Sequence, residues 1–252
     1  MFLFKIIVTL SGVYWIFISM LNEGPILIAP EDKKAISKYL NDINRYAKEL
    51  FKHKSEINGN ELANLLNIKS NELKSNQFPF SIDYRFSGEN IAEFGNDPPS
   101  ITISIAAFTN WKDYWTKDTE LRYCSNINFK GIASVFLHEF VHYIQFVKRQ
   151  ENSGFYDLPN NWNVKPKYYK RGWEQQAHAI QYLEQLKQEL KYKKPEDTLS
   201  HLRKLGVIHS SELNKLKQTD YKSWKAIMKQ AIMTAMADIE EGEPLPWQTK
   251  PT

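Results

Sequence analysis

Three ionisable side chains fall within five consecutive positions of an otherwise apolar and aromatic run. The run is LHEFVHYIQF at residues 137–146, and the three are His138, Glu139 and His142. Burying such groups unpaired is costly, so the run needs a chemical reason. On a helix, residues four apart stack on one face, about 6 Å apart along the axis. Two imidazoles so placed can converge on one tetrahedral Zn2+ ion. Glu139 points about 100° round the helix, where it can reach a water on the metal without ligating the metal itself. A bound zinc lowers the pKa of its water toward about 7, and a neighbouring carboxylate can take the proton. The pattern H-E-x-x-H therefore pairs a metal site with a base, and its chemistry is hydrolysis.

A catalytic zinc needs a third protein ligand and an open fourth position. The candidates lie downstream in RGWEQQAHAIQYL: Glu174 is the first acid of that segment, and His178 follows one turn later on the same helical face. That face lies beside the apolar stripe of Trp173, Ala177 and Ile180, so either side chain can reach a cleft from a packed helix. On the first helix, Ser134 and Gln145 share the histidine side and can support the ligands, whereas Phe136, Phe140 and Val147 lie nearly opposite and can dock on a core. Tyr168, Tyr169 and Tyr182 could each donate to an oxyanion. Tyrosine on an amphipathic helix also packs, with only its hydroxyl wet.

Over about residues 100–182 these features resemble the gluzincins, the thermolysin-like branch of the HExxH zinc metallopeptidases of the zincin type. In that group the active-site helix bears H-E-x-x-H, and a glutamate on a later helix completes the site. The resemblance implies that His138 and His142 are zinc ligands, Glu139 the general base and Glu174 the third ligand, with a peptide or protein as substrate. The departure is His178: members with an E-x-x-x-D pattern carry an aspartate there, which supports a ligand histidine. A histidine leaves its role open between third ligand, substrate contact and oxyanion contact. A reading from another class is a membrane-anchored, non-catalytic interaction protein on a zincin scaffold with a structural zinc. It requires a fourth side chain to close the site, with Glu174 and His178 both ligating.

The elements that must position these residues are legible as periodicity. Pro30, Glu31 and Asp32 suit a helix start, and Ile36, Leu40, Ile43, Ala47 and Leu50 continue it to about residue 53. A shorter helix is expected over 58–68. FSIDYRF (80–86) and SITISIA (100–106) alternate apolar and polar residues and read as strands, with GENIAEFGNDPP between them as turn and loop. SITISIA is either an edge strand able to pair with an extended peptide or an internal strand. Helices are expected at 129–149, 168–192, 195–205 and 220–239. The sum is an α+β fold of zincin-like character: a small mixed or antiparallel sheet, an active-site helix and a mostly helical C-terminal part. One domain spans 30–252, with N-terminal helices at 30–75, sheet and active-site helix at 78–150, and third-ligand helix and helical subdomain at 168–252.

Charge and composition narrow the partners. The net charge of +4 comes from interleaved Lys and Glu, and although LGVIHSSELNKLK has a helix-turn-helix look it lacks clustered Arg, so no nucleic acid partner is expected. Cys124 is the single cysteine, which rules out an intramolecular disulfide and suits a small buried hydrophobe. His53, His201 and His209 sit in polar, Lys-rich surroundings and are expected at the surface. Residues 1–21, MFLFKIIVTLSGVYWIFISML, carry one charge, Lys5, and approach the length of about 20 residues that spans a bilayer. They read as an anchor or signal, with the domain beyond them exported. The full chain should accordingly partition with membranes on fractionation, and a chain beginning at Ala29 should remain in the supernatant. Recovery of the intact full chain in the supernatant would contradict this reading.

Overall fold

The computed structural model describes residues 28–74, 78–87, 90–116, 119–151, 172–189, 195–205 and 211–241. Helix α1 (Pro30–His53) has proline and two acids in its first turn and Lys52 and His53 in its last, each on the favourable end of the helix dipole. It buries Ile36, Tyr39, Leu40, Ile43 and Ala47. After β1 (Ile57–Asn58) comes α2 (Gly59–Lys74), capped by Asn58, whose Oδ1 accepts from the backbone N–H of Asn60 at 3.0 Å and of Glu61 at 3.3 Å. Strands β2 (Ser81–Arg85), β3 (Ala92–Asn96) and β4 (Pro99–Ser104) follow, then a 3-10 turn and the hairpin β5 (Thr109–Thr116) and β6 (Thr119–Ile127). The remainder is helical: α3 (Phe129–Glu151), α4 (Gly172–Glu189), α5 (Pro195–Leu205), α6 (Ser211–Thr219) and α7 (Tyr221–Glu241). The fold is α+β.

Two three-stranded sheets lie in the N-terminal half. One has the order β2-β4-β3, with β2 parallel and β3 antiparallel to β4; Ile82 and Phe94 both pair with Ile101. The other, β1-β6-β5, is antiparallel, and Cys124 on its central strand is fully buried. SITISIA is therefore the internal strand. The edge is β3, within the segment whose Gly95, Asn96 and two prolines read as loop. The β5–β6 hairpin has no counterpart in the sequence reading, because TNWKDYWT mixes aromatic and polar residues without an apolar alternation. α2 runs to Lys74, further than its apolar pattern suggested.

The other edge of this sheet is closed by a side chain. Asn67 of α2 donates from Nδ2 to Tyr84 O at 2.7 Å, and its Oδ1 accepts from Tyr84 N at 2.6 Å. One amide thus stands in for a fourth strand.

The buried residues form two cores. The first joins α1, α2, both sheets and α3; the second joins α4 to α7. Helix α4 belongs to both, giving Ala177 and Ile180 to the first and Ala179, Tyr182, Leu183 and Leu186 to the second. Residues 1–27, Tyr168, Tyr169 and His209 lie outside the described residues, as does the side chain of His201; His53 is exposed. Among the described residues, no helix is long and apolar enough to cross a membrane. Replacing Asn67 by Leu should cost about 2–4 kcal/mol, since it strands two backbone groups of Tyr84. Equilibrium urea unfolding measures this, and an unchanged midpoint would remove Asn67 from the role of edge partner.

Candidate metal centre

Helices α3 and α4 face each other with one polar stripe apiece. On α3 the stripe is Ser134, His138, His142 and Gln145; on α4 it is Glu174, His178, Gln181 and Gln185, and both follow helical spacing. The stripes meet in opposite directions. Gln185 Nε2 donates to Ser134 Oγ at 3.3 Å, Gln181 Oε1 accepts from His138 Nδ1 at 3.1 Å, and the carboxylate of Glu174 lies between His138 and His142. The seam is buried: His138 is 5% exposed, Glu174 7% and His178 6%. On the far side of α3, Phe136 and Phe140 stack at 6.4 Å and pack on Tyr39, Phe78 and Phe80.

Hydrogen bonding selects the tautomer each ring adopts when neutral. Gln145 Nε2 donates to the Trp173 carbonyl at 3.1 Å and to Gln176 Oε1 at 2.9 Å. A carbonyl only accepts, so the amide orientation of Gln145 follows, and its Oε1 faces His142 Nδ1 at 2.9 Å. His142 therefore donates from Nδ1 and, as a neutral ring, keeps a lone pair on Nε2. His138 does the same, with Gln181 Oε1 as its acceptor. The two Nε2 atoms lie 3.2 Å apart, and each lies 3.5 Å from Glu174 Oε2. Three acceptors converge there, and a cation is what satisfies such an arrangement.

The spacing suits a tetrahedral metal ion. Bonds of about 2.0–2.1 Å in tetrahedral geometry set ligand atoms about 3.3–3.4 Å apart. The observed separations bracket that value, so His138, His142 and Glu174 form a buried or half-buried triad that could hold a metal ion. Burial works against charging His142, but Glu174 beside it, helped by Gln145 and Glu139, raises its pKa above the ordinary imidazole value. The same lone pair thus attracts a proton or a metal ion, and the two compete.

Glu139 stands outside the triad but close to it. Burial, chiefly, raises its pKa; the neighbouring imidazoles lower it, Glu174 raises it, and a backbone hydrogen bond from Phe94 on β3 lowers it. The residue that follows the first histidine is thereby tied to the edge strand, away from the ligand atoms. His178 packs edge-on against His138 at 4.5 Å between ring centroids, donates from Nδ1 to Gln181 Oε1 at 3.2 Å, and stacks on Tyr182 at 5.6 Å. Burial, then the nearby His138, lowers its pKa to about 3. Tyr182 is 2% exposed and belongs to the C-terminal core.

No protein-family model matches the chain, and no curated protein or solved structure is detectably similar to it. The centre stands on its own geometry.

That geometry brings together His138, Glu139, His142, Glu174, His178, Gln145 and Ser134 from the sequence reading. It also recruits residues that reading passed over. Gln181 falls seven positions after Glu174 and three after His178, so the stripe on α4 was its signal. The Phe94 N–H left no signal, because a main-chain donor has no side-chain pattern. Among the described residues, His178 lies outside the triad and no fourth side chain closes it.

Two substitutions on α4 separate the roles. Glu174→Ala should weaken binding of Zn2+ or Co2+ by at least about tenfold, whereas His178→Ala should largely retain it. Metal affinities from competition with a chromophoric chelator decide, and the reverse order would make His178 the third ligand.

Proposed function

We propose that the chain is a zinc-dependent metallopeptidase of the zincin type, similar to the gluzincins, that hydrolyses peptide bonds. The observation that carries this reading is the convergence of three lone pairs beside a fourth group, the buried Glu139 carboxylate, held outside their set. Two buried carboxylates beside two imidazoles favour a divalent cation. The His2Glu donor set suits zinc in a hydrolytic role.

His138 Nε2, His142 Nε2 and Glu174 Oε2 would hold the ion. Bound there, zinc supplies Lewis acidity toward a water and toward the scissile carbonyl. Glu139 takes a proton from the water and returns it to the leaving amine. The Phe94 N–H keeps the carboxylate aimed while it cycles. β3 is the edge of its sheet and carries this donor, so an extended peptide laid along β3 would meet both main-chain partners and the base. An anchor or signal within residues 1–21 would put this chemistry at or across a membrane.

Glu139→Gln keeps the shape of the side chain and removes the proton acceptor. Zinc content should stay at about one ion per chain while hydrolysis of a denatured protein substrate falls by about 10²–10⁴-fold. Undiminished hydrolysis by the variant would refute the mechanism.

A further inference from the structure

Two glutamines of the same seam face opposite kinds of partner. Gln181 turns its carbonyl oxygen to two donors, His138 Nδ1 at 3.1 Å and His178 Nδ1 at 3.2 Å. Gln145 uses both ends of its amide: Oε1 accepts from His142 Nδ1 at 2.9 Å, and Nε2 donates to Trp173 O at 3.1 Å and Gln176 Oε1 at 2.9 Å. Trp173 and Gln176 flank Glu174 in the first turns of α4. The amide of Gln145 therefore touches a ring of one candidate ligand and the helical turn that presents another.

We propose that Gln145 and Gln181 are positioning residues with distinct tasks: Gln181 sets the tautomer of His138, and Gln145 sets the tautomer of His142 while locking the Glu174 turn against α3. The assignment rests on the metal-centre reading above. Its chemical content is that an acid suits position 181 and is excluded from position 145. A carboxylate at 181 accepts both N–H groups and makes His138 a more basic ligand. A carboxylate at 145 still accepts from His142, but its second oxygen meets the Trp173 carbonyl, acceptor against acceptor. Gln176 can turn its own amide to donate; a main-chain carbonyl has no such option. The α4 turn must then move away, taking Glu174 with it.

The experiment uses the full chain and its Gln145→Glu, Gln145→Met and Gln181→Glu variants, with Zn2+ affinity from chelator competition and Co2+ absorption as a report of tetrahedral ligation. Gln181→Glu should bind Zn2+ as tightly as the parent or more tightly, with an intense Co2+ spectrum. Gln145→Glu should lose at least about tenfold in affinity and weaken the Co2+ bands. Gln145→Met, close in shape and without either hydrogen bond, should lose about as much, and it carries the comparison if Gln145→Glu does not fold. Equal shifts in the two Glu variants, or parental affinity in Gln145→Met, would overturn the assignment while the metal centre stands. Failure of the parent chain to bind Zn2+ or Co2+ would overturn the centre and this assignment together.

Discussion

A polar seam buried between two packed helices is stable only if each donor meets an acceptor. Between α3 and α4 the amides of Gln145, Gln181 and Gln185 meet this demand toward the ends. At the centre the demand changes, since His138 and His142 as neutral rings turn lone pairs toward one another and toward the Glu174 carboxylate, and a shared proton or metal ion is what joins them. The amides that satisfy the ends are what force the lone pairs inward. Support and frustration therefore come from the same hydrogen bonds, and the arrangement makes sense around a cation.

Rigidity follows from where the seam lies. α3 is pressed on one side by the aromatic cluster of Tyr39, Phe78, Phe80, Phe136 and Phe140. α4 is pressed on the other by Leu183 and Leu186 against α7, where Ile227 and Ala231 are fully buried. Side chains carried on such helices keep their positions better than side chains on loops. Glu139 is held by a different device, a main-chain donor of β3, which links the sheet edge to the centre.

Much of this was legible because helices write their packing into residue spacing. The interval between His138 and His142, and that between Glu174 and His178, mark one polar face on each helix, and the apolar residues between them mark the helix bounds to within a few residues. Strands wrote less. β3 is five residues containing Gly95, four of them partly buried and Asn96 exposed, so nothing in AEFGN alternates strongly enough to oppose its turn-forming flank. Gly95 lies where a β-carbon would come within 2.8 Å of Ser100 Oγ, which makes it a close-packing glycine of a sheet. Gln181 was hidden for a different reason. A glutamine on a helix ordinarily faces solvent, and only the pairing of α3 with α4 shows what its carbonyl oxygen serves.

The sharing of α4 between two cores has a thermodynamic consequence. A ligand that binds only the folded arrangement stabilises it by an amount that grows with the logarithm of its concentration over its dissociation constant. Because Glu174 and Leu186 lie on one unbroken helix, that gain cannot stay local. An ion held at the seam would resist the melting of α5, α6 and α7 as well, none of which supplies a ligand from the triad. Conversely, loosening that bundle would loosen the grip on the ion from behind, making the C-terminal helices a remote determinant of metal occupancy.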